Sequence, residues 1–546
     1  MSLDRVSADR VPDGYEDVFL ENVELVEEYN VSEYADVLIL YNTKERRYLY
    51  YINEPDISEY ERIRADAASY IPYKLSNEGF TPDSRDDFRS RVRELAQKRI
   101  TKQEVLTARI QNRLFELVSN VYEDAEKYQV ALFDEETINR IIYYLERDLV
   151  NNGKLQPVFN DPYIEDIHVN EPGIPVFLYH SKYGGESNIM TNIEYTQEEL
   201  QNKILGFTQM AGKTVSSAKP IENVSLPDGS RVNINYTDEV TDGGSTMTIR
   251  LFDEDPLTPT DLIQYGTFSL DQMAYFWLSV EHEKSIMFVG GTASGKTTSM
   301  NAISMFIPED LKFVTIEDTR EVEIDSANWV KNVTRDSASG DVGEIDMFDL
   351  LKDALRKRPN YIMVGEVRGA EAQTLFEAMN TGHATLSTFH AEGVPSAKER
   401  LTGDQLNVPV TSIPAIDIMS IQDRLTVDDE VVRRAEMVEE INDVQQAQVD
   451  YSTMYEYKYD SDKMRLMQSH AQSNVLSDIM LENGWTENEL EQEIENRKNV
   501  LQAMVENDIN NYVNVSDIIQ LYIRDNEYVV EQVESGNIEQ LIGDTE

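Results

Sequence analysis

Short apolar runs alternate with amphipathic stretches along this chain, and the spacing of the apolar positions changes character several times. From Tyr34 to Ile52, "YADVLILYNTKERRYLYYI" reads as two short strands around the charged turn "NTKERR". Between Asp86 and Val150, the apolar residues of "FRSRVRELAQKRI" and "INRIIYYLERDLV" recur every three or four positions, which predicts packed helices. Strands return between Gln156 and Leu251 in "IEDIHVN", "VFLYH", "RVNINY" and "TMTIRLF", punctuated by "LPDGS" and "TDGGS", so this stretch predicts a small α+β module. The prolines of "FDEDPLTPTD", Phe252 to Asp261, fix backbone dihedrals and disfavour helix before them, which predicts a hinge. Beyond it "SIMFVGG", "KFVTIED", "YIMVGEV" and "HATLSTF" alternate with helical segments, the pattern of a largely parallel sheet wrapped by helices. From Thr426 onward the chain reads as helix-rich and acidic, without a repeat or heptad seam, and its expected role is packing. The divisions that follow are an α+β region at 1–100, a helical and α+β module at 101–252, a linker at 253–262, an α/β core at 263–425 and a helix-rich region at 426–546.

Composition narrows the setting. At 546 residues the chain is long enough for two or three domains. Lys and Arg total 49 against 101 Asp and Glu, a formal net charge of −52 spread along the chain. Such a surface repels nucleic acid and anionic membranes. With 40% hydrophobic residues, 29 Tyr and 17 Phe, a folded protein with a carboxylate shell is expected, as in salt-rich cytoplasm, where screening relieves the self-repulsion; an acidic protein of ordinary salinity is the other reading. Cys is absent, which removes disulfides and cysteine zinc sites, and no apolar run is long enough to span a bilayer or serve as a signal core. A cytoplasmic protein is expected, any membrane role coming through a partner.

The candidate chemistry sits in the α/β core. Gly290 to Thr297, "GGTASGKT", satisfies G-x-x-x-x-G-K-[ST] after a strand and before a helix. Gly290, Gly291, Thr292, Ala293, Ser294 and Gly295 let successive N–H groups face phosphates, with Thr298 next in line in the helix that follows. Lys296 is positioned to reach the β and γ phosphates of ATP, and Thr297 to ligate Mg²⁺. Glu366 ends the strand of "YIMVGEV", where a P-loop enzyme of the RecA-like class presents an acid near Mg²⁺ and the attacking water. Glu317, Asp318 and Glu321 end another strand; they either supply a base or are a solvated strand end. His383 and His390 lie in "NTGHATLSTFHAEG"; without a third ligand at useful spacing a metal pair is disfavoured, leaving a sensor of nucleotide state or a core histidine.

Four blocks in fixed order, the P-loop at Gly290, "TIEDTRE" at Thr315, "RKRPNYIMVGEVRGAEA" at Arg356 and "TGHATLSTFHAEG" at Thr381, resemble the Walker A, Asp box, Walker B and His box of the type II/IV secretion ATPase superfamily, whose members power pili, archaella and secretion. The likeness extends through "LPDGSRVNI", "TIRLF" and "PLTPTDLIQYGTFS". It implies that Glu321 is the Asp-box base, Glu366 the Walker B glutamate that also serves Mg²⁺, and His383 and His390 the His box. It further implies that Arg231 and Arg250, on a PAS-like N-terminal module, approach the phosphates and couple domain movement to ATP. One departure is Asn360, where the family commonly has Asp, which puts any metal or salt-bridge role of that position in doubt. "GGTASGKTT", "TIEDTRE" and "NWVKNVTRDSASGDVGEIDMFDLL" resemble the archaeal branch, which includes archaellum motor and adhesion-pilus assembly ATPases, and with the acidic composition this implies a haloarchaeal source. The resemblance implies a homo-hexameric ring that hydrolyses ATP with Mg²⁺ and acts on a polytopic membrane platform protein, with accessory cytoplasmic motor proteins, at the inner face of the membrane. Protein export is the alternative use of such a motor, and a nucleic-acid translocase a weaker one, since no basic track accompanies the motor motifs.

Overall fold

The computed structural model describes residues 11, 14–78, 80–82, 84–100, 135–183, 188–252, 256–318, 320–324, 326–335, 343, 345–427 and 430–542. The helical pattern expected within 101–134, and residues 253–255 of the expected hinge, lie outside them. The chain divides into two compact units, Met1–Leu251 and Phe252–Glu546.

In the first unit nine strands form one sheet: β1 Val23–Ser32, β2 Ala35–Asn42, β3 Arg47–Asn53, β4 Ile164–Val169, β5 Pro175–His180, β6 Ile189–Glu194, β7 Ile221–Ser225, β8 Arg231–Asn235 and β9 Thr246–Arg250, in the order β1-β2-β3-β6-β5-β4-β9-β8-β7. The N-terminal strands and the later module therefore share one sheet, joined by the short parallel pairing of β3 with β6. The helix Gln197–Met210, opened by a capping box between Thr196 and Glu199, buries Leu200, Ile204 and Phe207 against this sheet. Helices Glu61–Glu78, 85–100 and Glu135–Leu149 enclose a separate apolar cluster that includes Ile71, Leu95 and Ile142.

The second unit is built on β10 Ile286–Gly290, β11 Phe313–Glu317, β12 Trp329–Val333, β13 Tyr361–Val364, β14 Ala384–Phe389, β15 Ile418–Val427, β16 Glu430–Gln445, β17 Gln448–Lys458 and β18 Lys463–Leu466. Their order is β12-β11-β13-β14-β10-β15-β16-β17-β18. The pairings from β12 to β15 are parallel and those from β15 to β18 antiparallel. Every residue of β10, β11, β13 and β14 is buried, as a parallel sheet covered on both faces requires.

Two expectations are corrected here. Where helix is expected from Thr426, the described residues form the end of β15 and the strands β16, β17 and β18, which extend the sheet, and α-helix begins only at Asn474. Pro259, expected in a linker, instead opens the helix Pro259–Gln264, capped by Thr258 and Asp261 and packed through Leu262 into the core; proline suits the first helical turn, where its missing N–H costs nothing. The C-terminal helices close over the same core. There the buried Arg497 donates to Glu281 and Glu493, each at 2.7 Å, so the enclosed charge is paired.

Candidate functional site

The loop from Gly290 to Thr297 joins the fully buried β10 to the helix Lys296–Ser304. Its curl needs small residues: a Cβ on Gly290 would stand 2.3 Å from the Gln422 carbonyl and 2.6 Å from Ser294 Oγ, whereas Gly291 has nothing within 4 Å. Ala293 and Gly295 adopt φ of +59° and +89°, the left-handed conformation that turns the chain into the helix. Ser294 Oγ and Lys296 Nζ both donate to the Gly291 carbonyl, at 3.0 and 2.6 Å. Burial pulls the Lys296 ammonium below its ordinary range and the nearby Arg368 adds to this, while Glu366 and Glu321 oppose it. A positive helix end, an ammonium and a glycine-lined turn suit an anionic phosphate chain.

Because the strands are parallel, the C-terminal ends of β10, β11, β13 and β14 lie along one edge, and this edge gathers the carboxylates. Glu317 ends β11, is 2% exposed, and accepts from the backbone N–H groups of Glu321 and Val322 at 2.8 and 3.0 Å. It thereby shapes the turn that carries Glu321, itself exposed. Glu366 follows β13. Burial pushes its carboxyl up, but Arg368, donating at 2.5 Å, together with Lys296 and His390, holds it below the usual carboxylate range. Arg368 also faces Asp318 at 3.8 Å. Glu371 accepts from the backbone N–H groups of Arg368 and Gly369 at 2.6 and 2.7 Å, fixing the loop that presents Glu366 and Arg368. Thr297, half-buried at the first turn of the helix, and Glu366 are the side chains suited to Mg²⁺ beside a nucleotide. Among the described residues, no group of three or more His, Asp and Glu is placed to hold a metal alone.

The two histidines part company. His390 follows the last residue of β14, with Nε2 3.5 Å from Thr292 Oγ1 and Nδ1 3.3 Å from Arg400, whose guanidinium also donates to the His390 carbonyl. His383 precedes the first residue of β14, where its Nδ1 lies 3.2 Å from the Ala378 carbonyl and 3.3 Å from Thr381 Oγ1. Six strand residues at about 3.3 Å each put the two at opposite edges of the sheet, roughly 20 Å apart. His383 is therefore not brought to the loop in this chain. Asn360 lies at that same far edge, accepting from Lys312 N at 3.2 Å, so the carboxylate missing there removes no group from the edge that carries the loop.

Arg231 and Arg250 belong to the first unit, directly opposite each other on β8 and β9 and hence on one face of that sheet. Arg250 Nε donates to Asp166 at 3.1 Å and the side chain is 62% exposed. Three contributors have no role assigned from the sequence: Arg368 and Glu371, which lie inside the block at 356–372, and Arg433, outside every motif, which donates from β16 to the Ala293 carbonyl. Glu371 also carries a local signal, as an acid opening an apolar helical run.

The chain is similar to the uncharacterized protein MJ0900 of Methanocaldococcus jannaschii, 35% identical over 497 residues that cover 88% of this chain and 86% of that one. It is similar to the type IV secretion system protein PtlH of Bordetella pertussis, 30% identical over 45% of this chain and 78% of that one. Among solved structures it is similar to the X-ray structure of the Legionella pneumophila ATPase DotB, 19% identical over 69% of this chain and 93% of that one with a TM-score of 0.39, a likeness too partial to carry weight. Residues 176–515, more than half of the chain, match the family model described as type II/IV secretion system protein, and the loop, Glu321, Glu366 and His390 all fall inside that span. This chain belongs to the type II/IV secretion system protein family.

Proposed function

We propose that this chain is the ATP-hydrolysing motor subunit of a secretion-type machine that assembles, and in one form rotates, an archaellum or type IV pilus-like filament. The observation that carries the reading is the convergence of the Gly290–Thr297 loop, Lys296, Glu366 and the Glu317-shaped turn of Glu321 at one edge of a parallel sheet. ATP with Mg²⁺ supplies the energy-rich phosphoanhydride. Lys296 exchanges the Gly291 carbonyl for β and γ phosphate oxygens, and Thr297 and Glu366 hold Mg²⁺. Glu321 orients the attacking water and accepts its proton, and His390, beside Thr292, senses the state of the site. Arg231 and Arg250 pair with phosphate oxygens and tie movement of the N-terminal module to nucleotide state, since an arginine fork matches two oxygens at once.

A homo-hexamer in the cytoplasm, docked through accessory motor proteins on a polytopic platform protein at the inner face of the membrane, fits the family; no helix among the described residues is long and apolar enough to cross a membrane. The archaeal relatives support the archaeal setting, and the net charge of −52 supports a salt-rich one. Protein export remains the second use, supported by the likeness to PtlH. Nucleic-acid translocation lacks a basic track: Arg91, Arg93, Lys98 and Arg99 of the helix at 85–100 are each held by a carboxylate. The test is Mg²⁺-dependent ATP turnover by the purified chain, with light scattering for the hexamer. Turnover that is absent in a hexameric wild-type preparation sinks the motor reading. Archaellin or pilin genes beside the coding gene separate the two filaments.

A further inference from the structure

Arg433 meets the crown of the loop from 140 residues away in sequence, its Nε donating to the Ala293 carbonyl at 3.2 Å. Its stem runs beside the next turn of the loop, where a Cβ on Gly295 would come within 3.3 Å of Arg433 Cδ. The strand that delivers it is pinned in place. Arg434, 7% exposed, pairs Nε and one arm with the two oxygens of Asp462 at 2.8 and 3.0 Å and donates its other arm to the Tyr265 carbonyl at 2.8 Å. Tyr457 OH donates to the same Asp462 at 2.8 Å. Successive side chains of a strand point to opposite faces, so anchoring Arg434 in the body directs Arg433 toward the loop. On the paired strand β15, the Gln422 carbonyl packs against Gly290, so this hairpin backs the loop at both ends.

The contact falls on a peptide whose orientation matters. In a trans peptide the carbonyl and the following N–H point in opposite directions. Holding the Ala293 carbonyl at Arg433 therefore turns the Ser294 N–H away from Arg433, and Ala293 keeps a left-handed φ that alanine does not favour by itself. We infer that Arg433 is a positioning residue for phosphate binding, its guanidinium holding the Ala293–Ser294 peptide so that the Ser294 amide is presented to an anionic phosphate. The inference rests on the reading of this loop as a nucleotide site.

Calorimetric titration of ADP and of inorganic pyrophosphate into the wild-type chain, Arg433→Met, Arg433→Lys and Lys296→Ala tests it. Methionine keeps the stem against Gly295 and removes the donor. Arg433→Met should weaken ADP and pyrophosphate by the same factor, on the order of tenfold for one charge-assisted hydrogen bond. KM for ATP should rise with kcat preserved, the signature of lost uniform binding, and the melting temperature without nucleotide should not move. Arg433→Lys should recover part of the affinity. Wild-type pyrophosphate affinity in Arg433→Met overturns the inference, as does a loss confined to ADP, which would place the guanidinium on the base or ribose. Loss of ADP binding in Lys296→Ala with full binding in Arg433→Met sinks this inference alone; no ADP binding by the wild-type chain sinks the nucleotide reading itself.

Discussion

The two edges of the parallel sheet in the second unit hold similar side chains under opposite circumstances. At the C-terminal edge Lys296, Glu366, Arg368 and His390 act on one another through charge, and the backbone is bent by Ala293 and Gly295 into an open turn. At the N-terminal edge the polar groups close the strand starts. Ser285 N donates to Asp417 at 2.7 Å, Thr385 N to Ser285 Oγ at 3.1 Å, Lys312 N to Asn360 at 3.2 Å, and Lys312 Nζ to the Lys357 carbonyl at 2.9 Å. The polar groups of the N-terminal edge bond mostly to the neighbouring strand starts, whereas Glu366, Arg368 and His390 at the C-terminal edge face one another and the loop. Residue type alone does not distinguish these uses; strand direction does.

The largest effect that would sharpen the contrast is at Lys296. Lys296→Ala should abolish ATP turnover and leave the circular-dichroism spectrum unchanged, because the glycine turn survives without the ammonium. Undiminished turnover would strip the C-terminal edge of its chemistry. Next, Glu321→Gln and Glu366→Gln should each slow hydrolysis by about 10²-fold or more while retaining ATP, the scale expected when a base or metal-holding carboxylate is lost. Normal rates in both would make these carboxylates no different from the polar groups at the far edge.

How much of this was legible in the sequence follows from how local each signal is. The loop, its strand and its helix are contiguous, so the motif and the apolar run of "SIMFVGG" predict them together. The strands ending in Glu317 and preceding Glu366 are equally plain, being short, mostly apolar and followed by charge. β16 misleads because its pairings are bulged on both sides, with β15 between Ile421 and Gln422 and with β17 between Val438 and Glu439 and between Ile441 and Asp443, which breaks the alternation. Val431, Val432, Ala435, Val438 and Ile441 then fall at spacings that read as helix. With the hairpin misread, Arg433 has no visible route to a loop so far from it in the chain. The separation of His383 from His390 was countable, since a strand of that length between them must place them at opposite ends, but the shared His-box motif joins them.

That pair gives a smaller and more discriminating prediction. His390→Gln should lower turnover several-fold, since its ring lies beside Thr292 of the loop and contributes to the charge felt by Glu366. His383→Gln should change turnover less than its counterpart, because its ring meets the Ala378 carbonyl and Thr381 at the far edge. Equal losses in the two variants would mean that the edges are functionally joined, for instance through a neighbouring copy of the chain.

The remaining expected effect lies wholly at the N-terminal edge and is read as stability. Burial lifts the Asp417 carboxyl to about 6; the Ser285 N–H and Lys284 oppose this, and Asp478 adds to it. Because the folded chain then binds a proton that the unfolded chain releases near pH 4, stability falls as pH rises through the interval from about 4 to 6. At 1.36 kcal/mol per unit, the ionised Asp417 costs the folded state up to about 3 kcal/mol at pH 7. Asp417→Asn keeps an oxygen for Ser285 N–H and never ionises, though it gives up the attraction to Lys284. The variant should therefore be more stable than the wild-type chain at pH 7.5 by about 1–3 kcal/mol, with the advantage gone near pH 4. His470, held above its ordinary range despite its burial by Asp271 and Glu491, also loses stability with rising pH, so the difference between the two chains is the quantity to follow. Urea unfolding at the two pH values measures it. A difference that does not change with pH would mean that the Asp417 carboxylate is already compensated, and the N-terminal edge would then carry no strained charge to set against the C-terminal one.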